Sequence, residues 1–161
     1  MCGIFIAINK KSEPLNLSKC KKALDSMYRR GPDWSFYKTP KKNIFIGQVV
    51  LSMTGDKVKN VKSHYSDSKN YFIVFNGEIY NYKYLNSSIL KEKFIENISD
   101  TKTLVNLFDY KNLSSINLLL DGMYAYAVYD KKDRSLQISR DPQGEKTLYL
   151  FEDEKDIIIA S

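Results

Sequence analysis

The element order in this 161-residue sequence predicts an α+β fold built on antiparallel sheets. Three observations carry that reading. Apolar patterning gives a strand, a helix, two strands, two helices and then a run of strands, which is not the alternating βαβα of a parallel sheet. Hydrophobic residues make up 43% of the chain and charged residues 27%, which suits one globular domain and argues against disorder. Aromatics reach 13%, with twelve Tyr and eight Phe, enough bulk to close a core.

The elements follow in order. Gly3 to Asn9 is a nearly continuous apolar run and reads as a buried strand. From Ser18, residues Cys20, Ala23, Leu24, Met27 and Tyr28 recur at helical spacing, so an amphipathic helix follows, with Cys20 on its core face. Arg30-Gly31-Pro32-Asp33 stops that helix, because the residue before a proline avoids the α region. Asn43 to Met53 and Tyr71 to Phe75 read as strands separated by a polar Lys/Ser-rich loop. Tyr82 to Phe94 and Thr101 to Tyr110 read as helices, with Asp100 placed as N-cap of the second. Met123–Asp130, Leu136–Arg140, Leu148–Phe151 and Ile157–Ala160 complete the strands. No internal repeat or low-complexity tract interrupts them.

Composition excludes several chemistries. The net charge is +6, but the lysines are scattered as pairs, such as Lys10-Lys11 and Lys41-Lys42, so a solvated surface is expected and no nucleic-acid partner. Seven glycines, none adjacent, form neither a P-loop nor a dinucleotide fingerprint. One His and two Cys do not make the usual four-ligand zinc site, so no metal is expected. No apolar run approaches the ~18–20 residues of a membrane span, and no basic-then-apolar leader opens the chain. Two cysteines without a secretory signal point to free thiols and a cytoplasmic location.

Cys2 is the most informative residue. It follows Met1 and has the small side chain that lets an initiator methionine be trimmed. Trimming would leave a thiol and an α-amino group on one residue, and such an amine has an ordinary pKa of roughly 7.7–8.0, basic enough to take the thiol proton. The same residue also reads as a small apolar start to a strand. Asn76-Gly77 combines a side-chain amide with a backbone N–H open to close approach, the two donors of an oxyanion hole; locally, it also reads as an ordinary turn. Asp100 reads either as a carboxylate for a substrate ammonium or as a plain N-cap.

Met1-Cys2-Gly3-Ile4, Arg30-Gly31-Pro32-Asp33, Asn76-Gly77-Glu78-Ile79-Tyr80-Asn81, Ser99-Asp100-Thr101, Asp121-Gly122-Met123-Tyr124-Ala125 and Ser139-Arg140-Asp141-Pro142 stand in an order that resembles a known family. It is the glutaminase domain of glutamine-hydrolysing asparagine synthetases, a class II glutamine amidotransferase of the N-terminal-nucleophile hydrolase superfamily. The likeness runs from Cys2 to Ser161. It implies a four-layer αββα sandwich of antiparallel sheets and hydrolysis of the glutamine side-chain amide. Cys2 would be nucleophile and, through its amino group, base. Asn76 and Gly77 would hold the oxyanion, Glu78 and Asp100 the α-ammonium, and Arg30 would order the loop beside the nucleophile.

The sequence also departs from that family. Where the pattern has Arg-Leu-Ser, with the Arg clamping the substrate α-carboxylate, this chain has Val50-Leu51-Ser52, and valine donates no hydrogen bond. The Gly and Gln-Pro pattern around Lys59 to Tyr65 is missing, Gln143 replaces a usual Phe, and Thr147 a usual Pro. An amidase acting on a different amide, or a catalytically weakened interaction domain, therefore stays open beside the glutaminase reading. No pyrophosphate loop exists in the chain, so ATP and magnesium are expected only on a synthetase domain or protein that would accept the ammonia. Residues 157–161 resemble the strand after which the family's chains continue, so this chain is expected to stop at a domain border.

Overall fold

In a computed structural model, residues 1–52, 61–91 and 99–161 are described, and the chain forms two compact units. Unit 1 comprises Met1–Lys59 with Thr147–Ser161, and unit 2 comprises Asn60–Lys146. The fold is α+β with two antiparallel sheets, as the element order predicts.

Unit 1 carries a five-stranded sheet. Its strands are β1 (Gly3–Asn9), β2 (Trp34–Lys41), β3 (Ile44–Val50), β7 (Tyr149–Glu152) and β8 (Asp156–Ala160), in the spatial order β2-β3-β1-β8-β7. The apolar run of β1 is central for a physical reason: buried on both faces, it has no polar side to show. Helix α1 (Leu17–Ser26) starts where the Asn16 side chain accepts from the Lys19 N–H at 3.0 Å. It lays Cys20 and Leu24 against Phe5, Ala7, Phe45 and Val49. Cys20 is therefore core, as its helical position predicts. A single 3₁₀ turn, Tyr28–Arg30, ends this segment before Gly31-Pro32.

Unit 2 carries β4 (Tyr71–Ile79), β5 (Gly122–Asp130) and β6 (Ser135–Arg140), in the order β4-β5-β6. One face of this sheet presents Ile73, Phe75, Ile79, Tyr124, Tyr126 and Val128 to helices α2 (Tyr82–Leu85), α3 (Asp100–Leu107) and α4 (Leu113–Asn117). The buried Tyr126 hydroxyl donates to Asn117 Oδ1 at 2.6 Å, tying α4 to that core. A π-helical turn, Asn86–Leu90, continues α2 and stops at Lys91 in the left-handed region.

Several sequence expectations are corrected. Strand β2 is absent from the sequence expectation: half of its WSFYKTPK is polar because it is an edge strand, which also tolerates Pro40. The strand expected over Tyr71–Phe75 runs on to Ile79, so Asn76-Gly77 is not a turn. The N-cap of α3 is Ser99, whose hydroxyl accepts from the Lys102 N–H at 3.1 Å, and Asp100 is the first helical residue. The helix expected to Tyr110 ends at Leu107, followed by the short, unanticipated α4. Met53, the end of one expected strand, and residues 92–94 of one expected helix lie outside the described residues.

Candidate active site

In unit 1, β1 starts at Gly3 opposite Val49, leaving half-buried Cys2 just beyond the strand. The Cys2 thiol donates to the Leu51 carbonyl at 3.8 Å, and the Arg30 Nε donates to the Cys2 carbonyl at 3.2 Å. The Arg30–Asp33 loop is bound to the same end of β3. Pro32 bridges to Val50, the Asp33 N–H donates to the Val50 carbonyl at 3.1 Å, and the Ser52 N–H donates to Asp33 Oδ2 at 2.7 Å. A helix stop and a strand end far apart in sequence thus converge around the Cys2 backbone, and Val50 sits in that convergence with an apolar side chain.

In unit 2, the far end of β4 gathers Asn76, Gly77 and Glu78. Asn76 is 2% exposed, and its Nδ2 has no hydrogen-bond partner among the described residues. A buried amide left unpaired costs about 1–3 kcal/mol, so it is retained only where something compensates. Gly77 has φ +152°, and a Cβ there would fall 2.1 Å from the Met123 carbonyl oxygen; only glycine lets β4 run this close to β5.

The direction of the Gly77 N–H follows from the register. Gly77 is opposite Tyr124, whose N–H donates to Asp141 and whose carbonyl accepts from the Asp141 N–H, both on the β6 side. The backbone groups of Gly77 therefore face away from β5, off the free edge of β4. Ile79, two residues on, faces the same way, and its N–H donates to Asp100 Oδ2 at 3.2 Å. Asp100 accordingly sits along the edge that Gly77 faces. Its Oδ1 accepts from the Thr101 N–H at 2.7 Å. Burial pushes its carboxyl above the usual range, the Ile79 and Thr101 N–H groups oppose this, and the neighbouring carboxylate of Glu78 adds to it. Two carboxylates in one another's field, one of them half-buried, are stabilised by a cation between them.

Helix α3 holds Asp100 there. Lys102 Nζ reaches Asp67 Oδ1 at 2.6 Å and the Tyr65 carbonyl at 2.7 Å. Asn106 exchanges two bonds with Asp67, Nδ2 to Oδ2 at 2.7 Å and Asp67 N–H to Oδ1 at 3.1 Å. Ser68 then bonds to Asp109. The loop before β4 is thereby stitched to α3 and to the turn that follows it, while Asp100 ties the start of the helix to the end of β4. Sequence reasoning missed this clamp, because its members are ordinary polar residues at helical spacing. At the other side of the sheet, Asp141 is 1% exposed and accepts from the Tyr124, Glu145 and Lys146 N–H groups at 3.3, 2.8 and 2.9 Å.

Among the described residues no helix is long and apolar enough to cross a membrane. The family model described as "glutamine amidotransferase domain" matches residues 1–161. A probable asparagine synthetase (glutamine-hydrolyzing) of Acanthamoeba polyphaga mimivirus is 31% identical over 155 residues, covering 92% of this chain and 27% of that protein. Asparagine synthetase B (glutamine-hydrolyzing) of Escherichia coli (strain K12) is 31% identical over 156 residues, covering 96% and 27%. Asparagine synthetase (glutamine-hydrolyzing) 2 of Bacillus subtilis (strain 168) is 29% identical over 164 residues, covering 100% and 21%. The chain spans about a quarter of the length of these relatives.

Proposed function

This chain belongs to the glutamine amidotransferase domain family, and from that premise we propose that it hydrolyses the side-chain amide of glutamine to glutamate and ammonia through a thioester on Cys2. Once Met1 is removed, the Cys2 α-amino group takes the thiol proton as sulfur attacks the amide carbon. The Asn76 side-chain amide and the Gly77 N–H stabilise the oxyanion, each typically worth ~3–4 kcal/mol. The amine returns the proton to the departing nitrogen, and ammonia leaves. Water then gives a proton to the same amine and attacks the thioester, releasing glutamate and restoring the thiol. Glu78 and Asp100 bind the α-ammonium, and the Arg30 bond to the Cys2 carbonyl orients the nucleophile's backbone. The ammonia passes to an asparagine-synthetase-like acceptor on another domain or protein, where ATP and magnesium belong. Two free thiols suit a cytoplasmic setting.

The observation that carries this reading is the buried, unpaired Nδ2 of Asn76 beside the outward-facing N–H of Gly77. Diazo-oxo-norleucine, a glutamine-analogue electrophile, tests it by intact mass: one adduct on Cys2 of a chain lacking Met1 is expected, and none on Cys2→Ala. A chain that retains Met1 and turns over no glutamine would sink it. A second reading, an amidase for an amide without an α-carboxylate, is favoured only by the apolar Val50 at the Cys2 end of unit 1.

A further inference from the structure

We propose that Arg140 receives the α-carboxylate of the substrate, so that unit 2 supplies a partner for both charges of an α-amino acid amide. This rests on the glutamine reading above. Glutamine is a zwitterion, and the Glu78–Asp100 pair answers only its ammonium. Among the described residues where loop and strand converge at Cys2, Arg30 is bound to the Cys2 carbonyl and Val50 is apolar.

The register of the three-stranded sheet locates the missing charge. Asn76 is opposite Ala125, and Ala125 is opposite Arg140. Residues directly opposite share a face, so Asn76, Ala125 and Arg140 form one row, with Glu78 one step along on that face. Ala125, between them, carries only a methyl group. From Arg140 to Glu78 the separation is about 10 Å across two strands and about 7 Å along one, hence about 12 Å between backbones. Two long side chains and the neighbouring ammonium and carboxylate of one amino acid fit that span.

The guanidinium is exposed, and no described group accepts a hydrogen bond from it. It lies against Gly144, where a Cβ would stand 2.9 Å from Nη1, and the φ of +72° favours glycine there. The glycine leaves room for a flat guanidinium at the end of the row. Four other cations of unit 2 are placed elsewhere. Lys102 is bound to Asp67, while Lys131, Lys132 and Arg134 lie at the β5–β6 hairpin, the opposite end of the sheet from Asn76. Arginine's fork also matches a carboxylate with two parallel bonds, which a lysine cannot do.

The test uses the 161-residue chain carrying Cys2→Ala, so that binding is read without turnover. Calorimetry with L-glutamine and with 4-aminobutanamide, which is glutamine without its α-carboxylate, compares Arg140 with Arg140→Ala and Arg140→Lys. The expected result is a loss of about 10- to 100-fold in L-glutamine affinity for Arg140→Ala. A smaller loss is expected for Arg140→Lys, with no change for 4-aminobutanamide and an unchanged melting temperature. Equal losses for both ligands, no loss for glutamine, or no glutamine binding to the Cys2→Ala chain would each overturn the assignment. If glutamine binds through Arg140 but the unsubstituted chain releases no ammonia, the hydrolysis reading fails and the carboxylate contact stands.

Discussion

Asp141 is buried and Asp100 half-buried in unit 2, and folding moves them in opposite directions. At Asp141 burial acts to raise the carboxyl, but the N–H groups of Lys146, Glu145, Tyr124 and Gly144 outweigh it and hold it below the usual range. At Asp100 burial wins over the two N–H groups of Ile79 and Thr101, and Glu78 adds to the rise. The difference is the number of donors aimed at each carboxylate. A fully solvated-by-backbone carboxylate is a structural peg that organises the turn after β6. An under-solvated one beside a second carboxylate still has capacity for a cation, so the same residue type serves architecture in one place and suits the proposed ammonium site in the other.

Asp141→Ala should have the largest effect on the fold, about 3–5 kcal/mol, because it strands several buried N–H groups at once. Urea unfolding measures it, and a loss below about 1 kcal/mol would remove the distinction between the two carboxylates.

His64 extends the donor-counting rule to a cation. It is buried, and burial lowers its pKa to about 4, against the bond of its Nδ1 to the Ile73 carbonyl at 3.0 Å. A histidine whose native pKa lies below its unfolded value is charged more readily in the unfolded chain. Stability should therefore fall as pH drops from about 6.5 to about 4, by up to about 1.4 kcal/mol per pH unit. His64→Gln should flatten that part of the profile, which urea midpoints across the same pH range would reveal.

The smallest effect on stability is expected for Asp100→Asn, within about 1 kcal/mol, because losing one acceptor is offset by removing a costly buried charge. The glutamine KM should nevertheless rise at least about tenfold while the fold holds, since a charge-assisted contact to the ammonium is lost. The two aspartates also give opposite pH signatures. The Asp141 contribution is complete above its unfolded pKa and is lost as pH falls through the native value. The Asp100 contribution is greatest below its unfolded pKa and is lost as pH rises through the native value.

Much of this was legible along the chain. Buried strands β1 and β5 announce themselves by apolar runs and alternation, because burial on a sheet constrains every residue. Edge strand β2 does not, because half its residues face water and carry no pattern. Asn76-Gly77 resembles a turn locally, and only pairing with Ala125 and Tyr124 shows that the glycine permits a close approach of two strands. Asp100 lost its capping role to Ser99 because the shorter hydroxyl reaches the Lys102 N–H, leaving the carboxylate free to bond Ile79.

By itself the sequence determined the α+β class and the family to which the chain belongs, and it nominated the residues proposed to react, since these depend on residue type and order. It also recorded the absence of a cation at Val50. Tertiary structure alone decided which way those residues face. Sheet register put Arg140 in a row with Asn76 across a methyl group and turned the Gly77 N–H off the edge of β4. Packing set how many donors each buried carboxylate received. Those outcomes depend on partners tens of residues away, and no local pattern encodes a count of hydrogen bonds made across a sheet.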